Sequence, residues 1–121
     1  MKEFEQLQQR TKRFALRILK LYRCLPKTDE CRILGKQILR SGTLIGANYR
    51  AACRARSRAE FVAKLGIVLE EADETTFWLE LMQDAGIFPD QKLQDLVREA
   101  NELVAIFVTS VRTAKGFTSA I

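Results

Sequence analysis

Residues 57–82 read SRAEFVAKLGIVLEEADETTFWLELM, and this stretch decides the fold. Its apolar residues recur at alternating steps of three and four, which places one apolar stripe along one side of an α-helix. That stripe consists of Phe61, Leu65, Val68, Ala72, Thr75, Leu79 and Met82. Ser57 and Glu60 stand three residues apart just before it, in the S-x-x-E arrangement that caps a helix N-terminus. The stretch therefore predicts a capped amphipathic helix of about seven turns.

The same period occurs in three other segments of the chain. In the first segment the stripe is Phe4, Leu7, Thr11, Phe14, Ile18, Leu21 and Leu25. In the second it is Cys31, Leu34, Ile38, Ser41, Ile45, Asn48, Ala52 and Ala55. In the last it is Leu93, Leu96, Ala100, Leu103, Phe107, Ser110 and Ala114. No segment alternates with a period of two over a sustained length, so no strand is predicted.

Residues that end or cap helices mark the boundaries between these segments. Pro26 ends the first helix, and either Thr28 or Asp29 can cap the second. Gly86 suits the end of the third helix and Gly116 the end of the fourth. The pattern predicts an all-α fold, an antiparallel up-down-up-down four-helix bundle. We expect a single domain over residues 1–121, with helices over roughly 3–25, 28–56, 58–85 and 89–115.

The predicted second helix is rich in small residues. It contains Gly35, Gly42 and Gly46, although glycine weakens a helix interior by about 1 kcal/mol relative to alanine. Such residues are tolerated where a neighbouring backbone comes near. We therefore expect another helix to approach the second helix closely; a local kink over Ser41–Asn48 is the alternative.

The composition excludes several classes of function. The 121 residues leave room for one ordinary domain, and 47% hydrophobic with 29% charged residues is typical of a folded soluble protein. There is no histidine, which removes the commonest general base and the commonest metal ligand. No glycine-rich phosphate loop follows a strand. We expect no enzyme and no cofactor.

The cysteines and paired carboxylates do not form a convincing metal site. Cys24, Cys31 and Cys53 include no C-x-x-C pair, so reduced thiols are expected. Glu71-x-x-Glu74 and the matching pair at residues 99–102 lack the histidines of a di-iron bundle. No uncharged stretch reaches the ~20 residues of a membrane span. We therefore expect a cytoplasmic protein that binds neither metal nor membrane.

The charges are unevenly distributed along the chain. Residues 1–64 carry 16 basic and 5 acidic side chains, a net charge of +11, whereas residues 65–121 carry 4 basic and 10 acidic, a net charge of −6. Two basic ridges on the first two helices predict a strip that binds nucleic acid by its charge. The candidate residues are Arg10, Arg13, Arg17, Arg32, Lys36, Arg40, Arg50 and Arg54. Basic helix faces that are merely solvated, on a scaffold that contacts only protein, are the alternative.

The predicted third helix carries a second apolar stripe with carboxylates embedded in it. A four-helix bundle needs one apolar face per helix, so this excess predicts burial against another copy of the chain. The candidate interface residues are Ile67, Glu70, Glu71, Glu74, Trp78 and Leu81. Because carboxylates in an apolar surface must be paired or stay partly wet, we expect them to meet arginines of a neighbouring helix or subunit.

Two stretches resemble the signatures of a known family. Residues 40–49, RSGTLIGANY, resemble the segment R-(S/A)-x-x-S-I-x-x-N-I-x-E-G of the 23S rRNA intervening-sequence proteins, which are small bacterial four-helix bundles. Residues 61–81, FVAKLGIVLEEADETTFWLEL, resemble the second signature, F-x-x-x-L-x-I-A-x-x-S-x-x-E-(T/L)-x-(Y/T)-x-L. The resemblance extends from Phe4 to Lys115. Residues 51–53, Ala-Ala-Cys, depart from it where an acidic residue and a glycine often occur.

The resemblance implies an up-down four-helix bundle that assembles into a ring-like pentamer with a central channel. The accessory protein of diversity-generating retroelements, which is similar to this family, is basic, binds nucleic acid and partners a reverse transcriptase. Its basic residues do not match this sequence one by one, so a reverse-transcriptase partner is not carried over. The expected partners are other copies of the chain, in a homopentamer, and RNA or DNA.

Overall fold

Residues 2–116 fold into four α-helices joined by short connections. The computed structural model describes residues 2–116, except the side chain of Asp90; Met1 and residues 117–121 of the expected domain lie outside the described residues. The helices are α1 (Lys2–Cys24), α2 (Asp29–Cys53), α3 (Arg58–Asp84) and α4 (Asp90–Lys115). No residue between 2 and 116 lies in a strand, and each helix packs against the next in the chain. The predicted all-α four-helix bundle is confirmed.

Specific contacts show that neighbouring helices run in opposite directions. Gly42 of α2 lies against Ile18 of α1, whereas Gly46, one turn further along α2, lies against Thr11, two turns earlier in α1. The bundle closes between α1 and α4, where Arg10 bonds to Glu99. The order of the helices around the bundle therefore follows the chain.

The helix ends form where the sequence carries capping residues. The hydroxyl of Thr28 accepts a hydrogen bond from the Cys31 N–H at 3.2 Å, so Thr28 rather than Asp29 caps α2. The hydroxyl of Ser57 accepts from the Glu60 N–H at 3.1 Å, as the capping box predicts.

The helix C-termini end at glycines or turns. Gly86 and Gly116 follow α3 and α4 with positive φ angles of 69° and 76°, a conformation that glycine adopts without a Cβ penalty. α2 ends at Cys53, three residues before the expected end, because the chain must turn before Ser57 can cap α3.

The core is built from the four predicted apolar stripes. Its fully buried residues include Phe14, Ile18, Ile38, Ile45, Leu65, Val68, Leu79, Met82, Leu93, Leu103 and Phe107. Tyr49 is also buried, with its ring centroid 5.3 Å from that of Phe107, and it takes the core position that the sequence pattern gave to Asn48. Asn48 lies on the flank of α2, where its amide donates to the Leu44 carbonyl oxygen.

The stripe residue Phe4 also stays outside the core. Phe4 is 41% exposed because it lies in the first turn of α1, and its ring makes an edge contact with Phe61 at a centroid distance of 6.3 Å.

The expected close approach of another helix to α2 is confirmed for α1. A Cβ atom added at Gly42 would lie 2.9 Å from two side-chain carbons of buried Ile18, and one at Gly46 would lie 3.4 Å from the Thr11 backbone. Glycine is therefore required at Gly42 by the packing of α1 and not by the backbone angles of α2.

Replacing Gly42 with alanine tests this packing. We expect Gly42→Ala to lower the free energy of unfolding by about 1–3 kcal/mol, because a β-branched neighbour in a full core cannot move aside cheaply. The measurement is urea unfolding followed by circular dichroism. Gly66→Ala is the matched control, since a Cβ there meets nothing within 4 Å, and it should raise the free energy of unfolding by about 0.5–1 kcal/mol. A Gly42→Ala protein as stable as the parent would contradict the packing argument.

Candidate functional site

A groove with a basic rim runs between α1 and α2, and we call it the α1/α2 groove. Its volume is about 450 Å³. It is lined by Gln8, Gln9, Lys12, Ala15, Thr43, Gly46, Ala47, Arg50 and Arg54. The floor is low because Ala15, Gly46 and Ala47 carry little or no side chain.

The cations of this groove have no partner within the described chain. Lys12, Arg50 and Arg54 are exposed, and their side chains make no ion pair or hydrogen bond with any residue between 2 and 116. Arg50 and Arg54 are one helical turn apart, so both project over the same side of α2. Lys12, which the sequence analysis did not single out, joins them from α1. Three positive charges thus surround a shallow floor, and all three are free to bind an anionic group.

A second basic groove, the turn groove, lies at the other end of the same helix pair. Its volume is about 490 Å³, and its cations are Arg23, Lys27, Arg32 and Lys36. Arg32 donates to Asp29 at 2.9 Å, an exposed pair within one helix that contributes little energy. Two predicted residues, Arg32 and Lys36, therefore lie together here, apart from Arg50 and Arg54.

The predicted ridge on α1 does not continue this surface. Arg17 faces α4 and lines a third groove, of about 300 Å³, together with Lys20 and Lys92. Arg13 is exposed and lines none of the three grooves. The two ridges expected to form one strip are thus divided among separate surfaces, because the basic residues of α1 follow the flank that turns towards α4.

Two further candidate arginines are paired with carboxylates of a neighbouring helix in the same chain. Arg10 donates from Nε and Nη2 to the two carboxylate oxygens of Glu99, at 2.8 and 2.7 Å, and from Nη2 to Glu102 at 2.7 Å. The hydrogen bonds to Glu99 raise the pKa of Arg10 above its ordinary value. This bidentate pair connects α1 to α4, so Arg10 holds the bundle closed instead of offering charge to a ligand.

Arg40 joins α2 to α3 in a similar way. Its guanidinium donates to Glu71 at 3.2 Å and to Glu74 at 2.7 Å. Glu74 also accepts from the indole N–H of Trp78 at 3.1 Å. The Trp78 and Arg40 hydrogen bonds lower the pKa of the Glu74 carboxyl below its ordinary value. These two carboxylates meet an arginine of the neighbouring helix in the same chain.

The exposed apolar residues of the candidate interface lie on either side of this ion cluster. Ile67 is 38% exposed and Leu81 is 36% exposed, while Trp78 is half-buried and touches Phe77 at a ring-centroid distance of 5.1 Å. Ile33 of α2, at 63% exposed, was missed by the sequence analysis. It stands two turns before Arg40, on the side of α2 that faces α3. This seven-residue spacing is the sequence signal that could have placed Ile33 beside the candidate interface.

Four other carboxylates of α3 form an acidic ridge on its outer surface. The ridge consists of Glu70, Asp73, Glu80 and Asp84, and Phe77 stands at its centre. The spacing from 70 to 84 alternates between three and four, so all five lie on one side of the helix. All five are exposed, and no ridge carboxylate pairs with any part of the chain that the structure describes. The structure thus separates Glu70 from Glu71 and Glu74, with which it was grouped.

The described residues show no other site of obvious chemistry. The side chains that the structure describes include no group of three or more cysteines or carboxylates placed to hold a metal ion. Cys24 is exposed, Cys31 buried and Cys53 half-buried, and all three are free thiols. No helix in the described part of the chain is long and apolar enough to cross a membrane.

Fold and surfaces together define a class: a small all-α four-helix-bundle protein with basic grooves beside α1 and an acidic outer surface on α3. The family model for the 23S rRNA-intervening sequence protein matches residues 5–109, and the chain belongs to this family. The resemblance seen in the sequence is therefore confirmed.

A solved structure supports this assignment. It is a 1.70 Å crystal structure from Bacteroides thetaiotaomicron VPI-5482, described as a protein with unknown function from the S23 ribosomal protein family. The two proteins are 37% identical, the match covers 87% of this chain and 97% of the other, and the TM-score is 0.81. No curated protein matches the chain.

The Arg40 cluster predicts how stability depends on pH. Because the folded-state pKa of Glu74 lies below its ordinary value of 4.5, its contribution is present above pH 4.5 and is lost as the pH falls through the lower, folded-state pKa. We expect the free energy of unfolding of Glu74→Gln to fall less steeply than that of the parent as the pH is lowered below 4.5. Glu70→Gln is the control, since Glu70 is exposed and unpaired on the same helix. Equal acid branches for Glu74→Gln and the parent would show that the cluster adds no stability.

Proposed function

We propose that this protein is a non-catalytic, self-associating helical bundle that binds nucleic acid through its basic grooves. The observation that carries the proposal is the α1/α2 groove, where Lys12, Arg50 and Arg54 stand unpaired above a floor of small residues. We expect it to act in the cytoplasm, where its three free cysteines stay reduced.

The charge that remains after internal pairing supports nucleic-acid binding. Of the eight candidate residues, Arg13, Arg17, Lys36, Arg50 and Arg54 make no ion pair with any side chain that the structure describes. The α1/α2 groove and the turn groove lie along one helix pair, and residues 32–54 of α2 span about 33 Å at 1.5 Å per residue. Arginine binds phosphate bidentately, and each contact releases counterions. A polyphosphate chain lying along this side would meet cations at both ends.

The exposed apolar residues of α3 support self-association. Ile67, Phe77 and Leu81 are exposed beside half-buried Trp78, and aromatic residues of this kind are enriched at protein interfaces. The resemblance to the pentameric 23S rRNA intervening-sequence proteins is the ground for proposing five copies. A reverse transcriptase is not proposed as a partner.

A scaffold that contacts only protein is the second candidate. The acidic ridge favours it, because four unpaired carboxylates repel phosphate and suit a basic protein surface. The two candidates differ in whether short RNA or DNA binds at low salt.

Removing two groove arginines tests the first candidate. We expect Arg50→Ala with Arg54→Ala to weaken binding of a fluorescent single-stranded RNA or DNA by about tenfold or more, and to reduce the salt slope of the binding constant by about two. Fluorescence anisotropy over a salt series provides both values. Arg98→Ala with Arg112→Ala removes the same charge from α4 and serves as the control. If the parent protein binds neither nucleic acid at low salt, the scaffold candidate remains.

Adding charge to the apolar surface of α3 tests self-association. We expect Ile67→Lys with Leu81→Lys to lower the molar mass measured by light scattering after size-exclusion chromatography, because buried unpaired lysines oppose assembly. Gln94→Lys with Asn101→Lys adds the same charge to exposed positions of α4 and should leave the mass unchanged. Assembly that survives the α3 changes would place the interface elsewhere.

A further inference from the structure

We propose that the acidic ridge of one copy docks into the α1/α2 groove of a second copy, with Phe77 seated on the groove floor. The proposal names the surface that the outer side of α3 meets. It rests on the self-association in the proposed function and does not require nucleic-acid binding.

Charge complementarity is the first argument. Ridge residues Glu70, Asp73, Glu80 and Asp84 and groove residues Lys12, Arg50 and Arg54 are exposed, and both sets are unpaired within residues 2–116. By contrast, the carboxylates that face a neighbouring helix, on α3 and α4, are already bonded to Arg40 and Arg10. The ridge and the α1/α2 groove are thus oppositely charged surfaces with free binding capacity, and each can supply the partners that the other lacks.

The shapes of the two surfaces also agree. Residues 70–84 span about 21 Å along α3, and the groove residues from Thr43 to Arg54 span about 17 Å along α2, at 1.5 Å per residue. Phe77 is 55% exposed at the middle of the ridge. The groove floor of alanine and glycine leaves room for an aromatic ring between the basic side chains of the rim. Burial of that ring would add apolar contact to a surface otherwise held by charge.

The positions of the two surfaces determine what kind of assembly results. The ridge lies on the outer side of α3, whereas the groove lies between α1 and α2, so the contact joins two different patches. Each docked copy still offers a free ridge and a free groove, and such a head-to-tail contact either closes into a ring or continues as a filament. A ring agrees with the pentamer proposed above.

Docking would also regulate the nucleic-acid site. A copy seated in the groove covers Arg50 and Arg54, which the proposed function assigns to phosphate. Self-association and nucleic-acid binding would then compete for this groove, while the turn groove stays open. Separation of the two subunits would expose the arginines.

A charge exchange between ridge and groove tests the docking directly. The groove variant is Arg50→Glu with Arg54→Glu, and the ridge variant is Glu80→Arg with Asp84→Arg. We expect each variant alone to raise the dissociation constant of self-association at least tenfold. The measurement is sedimentation velocity at about 50 mM salt, where charges are weakly screened. An equimolar mixture should again form complexes larger than the monomer, because the basic ridge of one variant meets the acidic groove of the other and the acidic ridge meets the basic groove. A closed ring of five would keep one like-charged contact, so the mixture is expected to form open or even-numbered complexes. Arg98→Glu with Arg112→Glu, the same charge change on α4, should assemble like the parent.

Several results would overturn the docking. They are a monomeric parent at every concentration, an unchanged mass for either variant, or a mixture that stays dissociated although circular dichroism shows both variants folded. If Ile67→Lys with Leu81→Lys dissociates the assembly but the groove variant does not, the self-association stands and this inference fails. Two results together support a groove shared by both ligands. The groove variant loses self-association and RNA binding, whereas the ridge variant binds single-stranded RNA at least as tightly as the parent does.

Discussion

The close approach of α1 to α2 is the constraint on which the surfaces of this protein depend. Gly42 leaves no room for a Cβ against Ile18, and at Gly46 the α2 backbone comes so close to α1 that an added Cβ would lie 3.4 Å from the Thr11 backbone. The outer seam between the two helices carries Ala15, Gly46 and Ala47, whose side chains are too small to fill it. Arg50, Arg54 and Lys12 then stand around a depression instead of on a convex helix face. A packing requirement in the core thus produces the groove on the outside.

The ion pairs on the α2–α3 seam and the α1–α4 seam decide which charges remain available. Arg40 ties α2 to α3 through Glu71 and Glu74, and Arg10 ties α1 to α4 through a bidentate bond to Glu99. Each arginine bonds two carboxylates, so these clusters hold more negative than positive charge. Exposed ion pairs add little stability, but these are multidentate and connect separate helices, which favours a defined register between them. The seam between α1 and α2 has no such cross-link and keeps its cations free.

The sequence predicted the bundle well because its signals are local. Stripe spacing, the Ser57 cap and the glycines after α3 and α4 act within a few residues, and the helices formed where these signals placed them. Tyr49 entered the core in place of Asn48 because both stand within one turn of Ile45, and only packing against Phe107 distinguishes them. The surfaces were harder to predict. Their composition depends on the rotation of each helix within the bundle. This rotation decides which neighbouring helix Arg17 of α1 faces, and whether Glu70 and Glu71 face the same neighbour.

The rotation of each helix determines where on the surface the charges that sum to +5 lie. If the ridge of one copy occupies the groove of the next, then Lys12, Arg50 and Arg54 are neutralised by carboxylates that would otherwise repel nucleic acid. Docking does not change the charge per copy, but it removes both an attractive and a repulsive surface from solution. The cations left exposed include those of the turn groove, Arg23, Lys27 and Lys36 among them, together with Arg17 and Lys20 beside α4. An assembled form would then present nucleic acid with a positive surface near the α1–α2 turn, where no carboxylate of the acidic ridge competes, whereas a dissociated copy would present both ends of the α1–α2 pair.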